Sequence, residues 1–118
     1  MDRVQKIQHK GKEILYANYE GIVGDDKMLE VLNEAERIIL EDNTPHLQLV
    51  NFKDTFATTG YMAAAKKFGK KTKHLTSKSA ILGITGVKVL LLRSYNFVSG
   101  DKLKDFKSEE EAKDYLVE

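Results

Sequence analysis

The chain has 118 residues, of which 42% are hydrophobic and 31% charged, with one proline and eight glycines. This composition is typical of a single folded domain and excludes a disordered or a fibrous chain. The net charge of +1 indicates no class of partner, and the absence of cysteine excludes disulfides and thiolate metal sites and favours a reducing compartment such as the cytoplasm.

Neither the start of the chain nor its most apolar run is expected to enter a membrane. The first four residues, MDRV, lack the apolar run of a signal peptide. The richest apolar run, Val87–Val98, contains Lys88 and Arg93, and it is too short and too charged to cross a bilayer. We therefore expect no stable membrane insertion.

The first third of the chain predicts a hairpin followed by a helix. Arg3–Gln8 and Lys12–Tyr19 flank Gly11, whose freedom to adopt a positive φ suits a tight turn between antiparallel strands. Asp25 or Asp26 is expected to cap the helix that follows. The apolar stripe of this helix recurs every three or four residues and comprises Met28, Leu29, Val31, Leu32, Ala35, Ile38 and Ile39.

The middle of the chain predicts a strand, a helix and a second strand. Leu47–Phe52 and Ser79–Ile84 are short, nearly all-apolar runs, which are typical of interior strands. Thr58 or Thr59 is expected to cap the helix between them, and Gly69 leaves the length of that helix open. The buried stripe of this second helix comprises Tyr61, Ala64, Ala65 and Phe68.

The last third predicts a helix, a short strand and a final helix. The third helix follows the Thr85-Gly86 turn and is hydrophobic nearly all round, so we expect it to pack on more than one side, against the sheet and a second copy of the chain. Leu103–Phe106 predicts a strand, and a capping box of Ser108 and Glu111 opens a helix over Glu109–Leu116. Val87, Leu90, Leu91 and Ser94 share one face of the third helix, with Val89, Leu92 and Tyr95 on its other sides. The aromatic residues expected in the core are Tyr61, Phe68, Tyr95 and Phe97.

The resulting order, β-β-α-β-α-β-α-β-α, predicts an α/β domain with one mixed sheet of four or five strands. Strands separated by helices pair in parallel through right-handed crossovers, and the opening hairpin adds an antiparallel edge. Helices are expected on at least one face of the sheet. Three strand-to-helix turns should then meet outside the carboxyl ends of the parallel strands, where ligands of open α/β sheets gather.

Four segments, by their order and spacing, resemble the STAS-like (anti-sigma-factor antagonist) superfamily, in particular its small stand-alone SpoIIAA-like (STAS/SEC14-domain) branch. These segments are LVNFKD at 49–54, AILGITGVK at 80–88, FVSG at 97–100 and FKSEEEAKDYL at 106–116. The resemblance covers nearly the whole chain. It implies a bacterial protein that acts by regulatory binding rather than catalysis, with no cofactor.

The loop after the third strand carries the candidate binding site. Phosphoswitch members of the superfamily place a Ser or Thr at the start of the following helix, and Thr59-Gly60 stands there in this chain, although the spacing from Asp54 differs. Free helix N–H groups at the three turns also attract anions, whereas Asp25 and Asp26 would repel them. The candidate phospho-acceptor or anion-binding residues are Thr55, Thr58, Thr59, Gly60, Thr85 and Gly86. The alternative is that these threonines are helix caps and these glycines turn residues.

A second candidate surface is basic. Thr55–Gly100 contains eight basic residues and no acidic one. This stretch is either a solvated helix face and loop or a docking surface for an acidic partner, a phosphate or a lipid headgroup. No nucleic-acid-binding motif accompanies it, so we expect no nucleic-acid partner. The candidate docking residues are Lys66, Lys67, Lys70, Lys71 and Lys73.

These features favour a non-enzymatic module that docks a protein partner or an anion at the strand-to-helix turns. The alternatives are a carrier of a small lipid or apolar metabolite in a cavity beneath the third helix, and a small hydrolase or transferase. His9, His46 and His74 have no partner at metal-ligand spacing, so no metal site is predicted. A homodimer through Val87–Val98 is also expected.

Overall fold

A five-stranded mixed sheet forms the centre of the molecule in a computed structural model that describes residues 2–118. The strands lie side by side in chain order: β1 (Val4–His9), β2 (Lys12–Asn18), β3 (His46–Asn51), β4 (Thr76–Leu82) and β5 (Lys104–Phe106). β1 and β2 pair antiparallel, and every other neighbouring pair is parallel. The predicted α/β domain with a single mixed sheet and an opening hairpin is therefore confirmed.

Four α-helices pack on this sheet: α1 (Asp25–Asp42), α2 (Thr59–Thr72), α3 (Lys88–Ser99) and α4 (Glu109–Val117). α1, α2 and α3 share one face with α2 in the middle, and α4 packs on the opposite face. A short 3-10 helix, Lys73–Leu75, follows α2. Gly69 lies inside α2 and does not end it. The small residue allows α3 to come close, since a Cβ at position 69 would lie 2.6 Å from the Cβ of Ser99.

β2 contributes side chains to two hydrophobic cores, one on each face of the sheet. Leu15 and Ala17 belong to the cluster under α1, α2 and α3, while Ile14 belongs to the cluster under α4. Alternate side chains of a strand point to opposite faces, so a central strand covered on both sides is apolar at successive positions. β3 and β4 follow the same rule, with Val50 and Ile81 on the three-helix side.

The helix caps differ in part from the expected ones. Neither Asp25 nor Asp26 caps α1; Gly24 occupies the cap with φ 99°, and both aspartates lie in the first turn. Thr58 caps α2, with its oxygen accepting from the Tyr61 N–H at 3.2 Å. Ser108 caps α4 through the N–H of Glu111, as expected, and its hydroxyl also donates to the carboxylate of that residue at 3.0 Å.

The single chain buries one side of α3, and the expected packing of its other side against a second copy of the chain stays a prediction. The buried residues of α3 are Lys88, Tyr95 and Ser99, and its outer face leaves Leu90 and Phe97 in solvent. Phe97, expected in the core, is 90% exposed. Within residues 2–118, no helix has the length and apolar character needed to cross a membrane.

Candidate functional site: the rim and the cavity beneath it

The turn after β2 and the loop after β3 are joined by two hydrogen bonds. The N–H of Gly21 donates to the carbonyl of Lys53 at 3.2 Å, and the Thr55 hydroxyl donates to the carbonyl of Ile22 at 2.6 Å. Both turns follow the carboxyl ends of adjacent parallel strands. One backbone and one side-chain hydrogen bond therefore fix their relative position.

The turn after β4 lies against the same loop. Gly83 has φ 85°, and a Cβ at this position would lie 2.6 Å from the backbone nitrogen of Lys53. Glycine is thus required here both for its left-handed conformation and for the close approach of two backbones. The three turns, residues 20–26, 53–58 and 83–87, form one surface, called the rim below.

The candidate threonines have different environments. Thr55 is 2% exposed and its hydroxyl donates to the carbonyl of Ile22, an environment that disfavours phosphorylation of this residue. Thr58 acts as the N-cap of α2, which agrees with the structural alternative. Thr59 and Thr85 are both exposed, so these two residues are accessible to a ligand or a kinase.

Asp25 occupies the N-terminal end of α2. A Cβ at Gly60 would lie 2.8 Å from the Oδ2 atom of Asp25. The positive end of the α2 dipole therefore already faces a carboxylate of this chain. An additional anion at this helix end would have to overcome the repulsion of Asp25, which weakens the anion-binding interpretation of the turn.

Apolar side chains on the rim were not foreseen from the sequence. Val23, Phe56 and Val87, one from each turn, are at least 63% exposed. Periodicity could not reveal their exposure, because Val23 directly follows the buried Ile22 and Val87 begins the apolar run of the third helix. The usable signal is a large apolar residue within a turn, where the fold offers no core for it to enter.

The five candidate lysines fall into two groups. Lys71 pairs with Glu36 of α1 at 2.8 Å, and the Lys73 ammonium lies against Gly100 at the end of α3. Among residues 2–118, no carboxylate lies within 4.0 Å of the amino groups of Lys66, Lys67 or Lys70 on α2. These three residues, called the α2 lysines below, are what remains of the predicted basic surface.

A cavity of about 60 Å³ lies below the rim, between the sheet and the three-helix layer. Its walls are mainly apolar and include Ala65 of α2, Ile81 of β4 and Leu92 of α3. A space of this size exceeds the volume needed for a water molecule, yet it is well below the roughly 150 Å³ of an engineered cavity that takes benzene. The cavity therefore suits a small molecule rather than a long acyl chain.

Buried tyrosines form part of the cavity wall. The rings of Tyr19 and Tyr61 meet edge-to-face at 5.3 Å, and both contact Phe52, at 5.4 and 5.9 Å. Burial raises the pKa of Tyr61 to about 12 and that of Tyr19 well above its ordinary value. Both hydroxyls are therefore neutral near pH 7 and can donate or accept hydrogen bonds without carrying charge.

Lys88 is the candidate site residue that the sequence analysis missed. It is 8% exposed, lines the cavity, and its Nζ donates to the carbonyls of Phe52 at 3.1 Å and Gly83 at 3.0 Å. The same ammonium lies 5.2 Å from the ring centre of Phe56. The available signal was helical spacing, because Lys88 shares one face of α3 with Tyr95 and Ser99.

On the opposite face, His9 approaches two carboxylates that are about 100 positions away in sequence. Its Nε2 atom lies 2.9 Å from Oδ1 of Asp114 and 3.8 Å from Oε2 of Glu110. Lys10 reaches the same Asp114 oxygen at 2.9 Å. Hydrogen bonds from His9 and Lys10 lower the pKa of the Asp114 carboxyl. The cluster joins the β1–β2 turn to α4 as an ion-pair network.

No family model, curated protein or solved structure matches this chain. The resemblance to STAS-like proteins therefore remains an expectation from the sequence motifs. The geometry that bears on function consists of an apolar rim, three unpaired lysines on α2 and a cavity with a buried ammonium group.

Proposed function

We propose that the protein is a non-enzymatic binding module of the STAS-like type, which docks an acidic protein partner on the rim and the adjoining face of α2. The observation that carries the proposal is the placement of Val23, Phe56 and Val87 in solvent on three adjoining turns. Apolar side chains grouped on a surface with polar surroundings are typical of interaction sites. The STAS-like motifs in the sequence agree with regulatory binding, and the lack of cysteine agrees with a cytoplasmic location.

The charge of the partner follows from α2. Thr59, Lys66 and Lys70 are spaced at seven and four positions, so they share the solvent-facing side of this helix. The unpaired ammonium groups attract a partner with acidic residues and speed its association. Thr59 stands at the rim end of this face, where a phosphate would place negative charge in the contact and oppose an acidic partner.

Capture of partners from the native host, with chemical cross-linking and quantitative mass spectrometry, tests this proposal. The rim variant is Phe56→Ser with Val87→Ser, and its control is Leu40→Ser, which removes an exposed apolar residue from the far end of α1. We expect one partner to be retained by the wild type and the control and lost by the rim variant, since the contact area is removed only there.

Charge is tested separately. Reversal of the α2 lysines (Lys66→Glu, Lys67→Glu, Lys70→Glu) is expected to release the same partner, and Thr59→Glu to weaken its capture. The matched control reverses Lys12, Lys102 and Lys107, which are exposed lysines elsewhere on the surface. A partner that binds the rim and α2 variants as it binds the wild type would contradict the proposed surface.

A second function, binding of a small apolar or amphiphilic molecule, is favoured by the cavity beneath α3. Mass spectrometry under native conditions, on protein purified from its own host, is expected to show a bound mass that denaturation releases. The variant Ala65→Leu places extra atoms in the cavity and is expected to abolish that mass. Repeated absence of a bound mass from the wild type would count against this function.

The outer face of α3 supports a further partner, a second copy of the chain. Leu90, Phe97 and Val98 are exposed there, and Arg93 is the one charged residue on α3 besides the buried Lys88. Two such faces can meet with little electrostatic repulsion, as in the isologous contacts of twofold dimers. Sedimentation velocity is expected to show a dimer for the wild type and a monomer for Leu90→Ser with Phe97→Ser.

A further inference from the structure

The ammonium group of Lys88 is buried without a carboxylate partner. Its side chain is more than nine-tenths buried, and among residues 2–118 no carboxylate oxygen lies within 4.0 Å of Nζ. Two of its three N–H groups bond to backbone carbonyls, which accept hydrogen bonds but carry no full charge. A buried charge is ordinarily paired, because desolvation of an isolated ion is costly.

The cavity that Lys88 lines is mainly apolar. Lys88 lines the cavity together with Phe52, Ile84 and Leu91, and the Phe56 ring lies above the ammonium at 5.2 Å. An electrostatic interaction is stronger in such a low-dielectric place than at the surface. A negatively charged group that entered the cavity would therefore gain more here than at the exposed α2 lysines.

We infer that the cavity binds a small monocarboxylate, with its carboxylate on the Lys88 ammonium and its short aliphatic body among the apolar residues. The carboxylate supplies the missing counter-ion and accepts the remaining N–H of Lys88. The volume of about 60 Å³ limits the body to a short chain. The inference rests on the second proposed function, ligand binding in the cavity, and is independent of partner docking on the rim.

Isothermal titration with a matched pair of short probes, propanoate and propan-1-ol, tests the inference. The two differ at the head group, so their affinity ratio reports the contribution of the charge. We expect the wild type to bind propanoate about 10-fold to 100-fold more tightly than propan-1-ol, which is the range of a charge-assisted hydrogen bond. Backbone amide shifts of Gly83 and Ile81 are expected to follow the titration and locate the ligand.

Two lysine variants provide the comparison. Lys88→Met keeps most of the length and the apolar stem but removes the charge, so the preference for propanoate is expected to disappear while propan-1-ol still binds. Lys67→Met removes an exposed charge from α2 and is expected to keep the wild-type ratio. Lys88→Arg retains the charge and is expected to retain the preference for the carboxylate. This variant also provides a test if Lys88→Met fails to fold.

Each of the other possible results overturns a specific part of the proposal. Equal affinity of the wild type for the two probes would overturn the carboxylate inference and leave the cavity function standing. Absence of binding by either probe would overturn the carboxylate inference and count against the cavity function for ligands of this size. A preference that persists in Lys88→Met would show that another group holds the carboxylate and would overturn the role of Lys88.

Discussion

The two faces of the sheet are packed in different ways. Under α4, the six core residues (Ile14, Leu49, Ala80, Leu82, Ala112 and Leu116) are at most 1% exposed. Under α1, α2 and α3 the larger core encloses a cavity and a buried ammonium, and its upper edge bears exposed apolar residues. Dense packing resists change, whereas a cavity leaves atoms without neighbours and has room for a ligand. The packing of the α4 face therefore contributes stability, and the three-helix face is the one for which we propose binding.

The largest expected effect is loss of packing under α4. Leu116→Ala is expected to lower the free energy of unfolding by about 2–5 kcal/mol, the range for large-to-small changes in a full core. Leu92→Ala, beside the cavity and half-buried, is expected to cost less because fewer contacts are lost. Urea unfolding followed by circular dichroism measures both. Equal losses for the two variants would contradict the contrast between the faces.

The next effect concerns the backbone contact at the rim. Gly83→Ala is expected to lower the free energy of unfolding by about 2–4 kcal/mol, because it combines left-handed strain with a clash against the Lys53 backbone. Gly86→Ala is the matched control: its φ is 59° and no atom lies within 4 Å of the added Cβ, so strain alone acts at about 1 kcal/mol. Similar values for the two glycines would argue against the close contact of the two turns.

Larger side chains are expected to produce a smaller difference in stability between the two faces of the sheet. Ala112→Val overfills the core under α4 and is expected to cost about 1–3 kcal/mol. Ala65→Val points its extra methyl groups toward the cavity and is expected to cost less than about 1 kcal/mol, most of it from helix propensity. Thermal unfolding measures the difference. A larger loss at Ala65 than at Ala112 would mean that the cavity has no spare room.

The smallest effect is the pH dependence of the link between the hairpin turn and α4. The pKa of Asp114 is lowered in the folded chain, so its ion pairs contribute stability above the ordinary Asp value of 3.8, and this contribution is lost as pH falls through the lowered pKa. Asp114→Asn is therefore expected to be less stable than the wild type at pH 6 and equal to it near pH 2. Asp105→Asn, at an exposed site where residues 2–118 form no ion pair, serves as the control, and a stability difference independent of pH would contradict the assignment.

Most of the architecture could be predicted from the sequence because the signals are local. The turn at Gly11, the apolar runs of β3 and β4, and the helical spacing of Met28 to Ile39 each depend on residues a few positions apart. The capping position of Thr58 and Ser108 has the same local origin. Helix α3 was harder, because apolar residues surround it and periodicity alone does not say which face meets the sheet.

The candidate site was predictable in position but not in chemistry. The order of helices and strands implies parallel pairing, and parallel pairing places the turns after the middle strands at one edge of the sheet. The character of that edge depends on neighbours that are distant in the chain. The carbonyl of Ile22 engages Thr55, and Asp25 lies against Gly60, so two of the expected polar sites are already in use.

The sequence by itself determined that this chain folds as one α/β sheet with an opening hairpin, because hydrophobic periodicity and capping are written in neighbouring residues. Only the tertiary structure decided that Lys88 is buried, that Phe97 is exposed and that His9 meets Asp114. Each of these outcomes depends on which surfaces come together when the sheet closes under its helices. A side chain's environment is set by contacts across the fold, and the spacing of residues along the chain does not contain them.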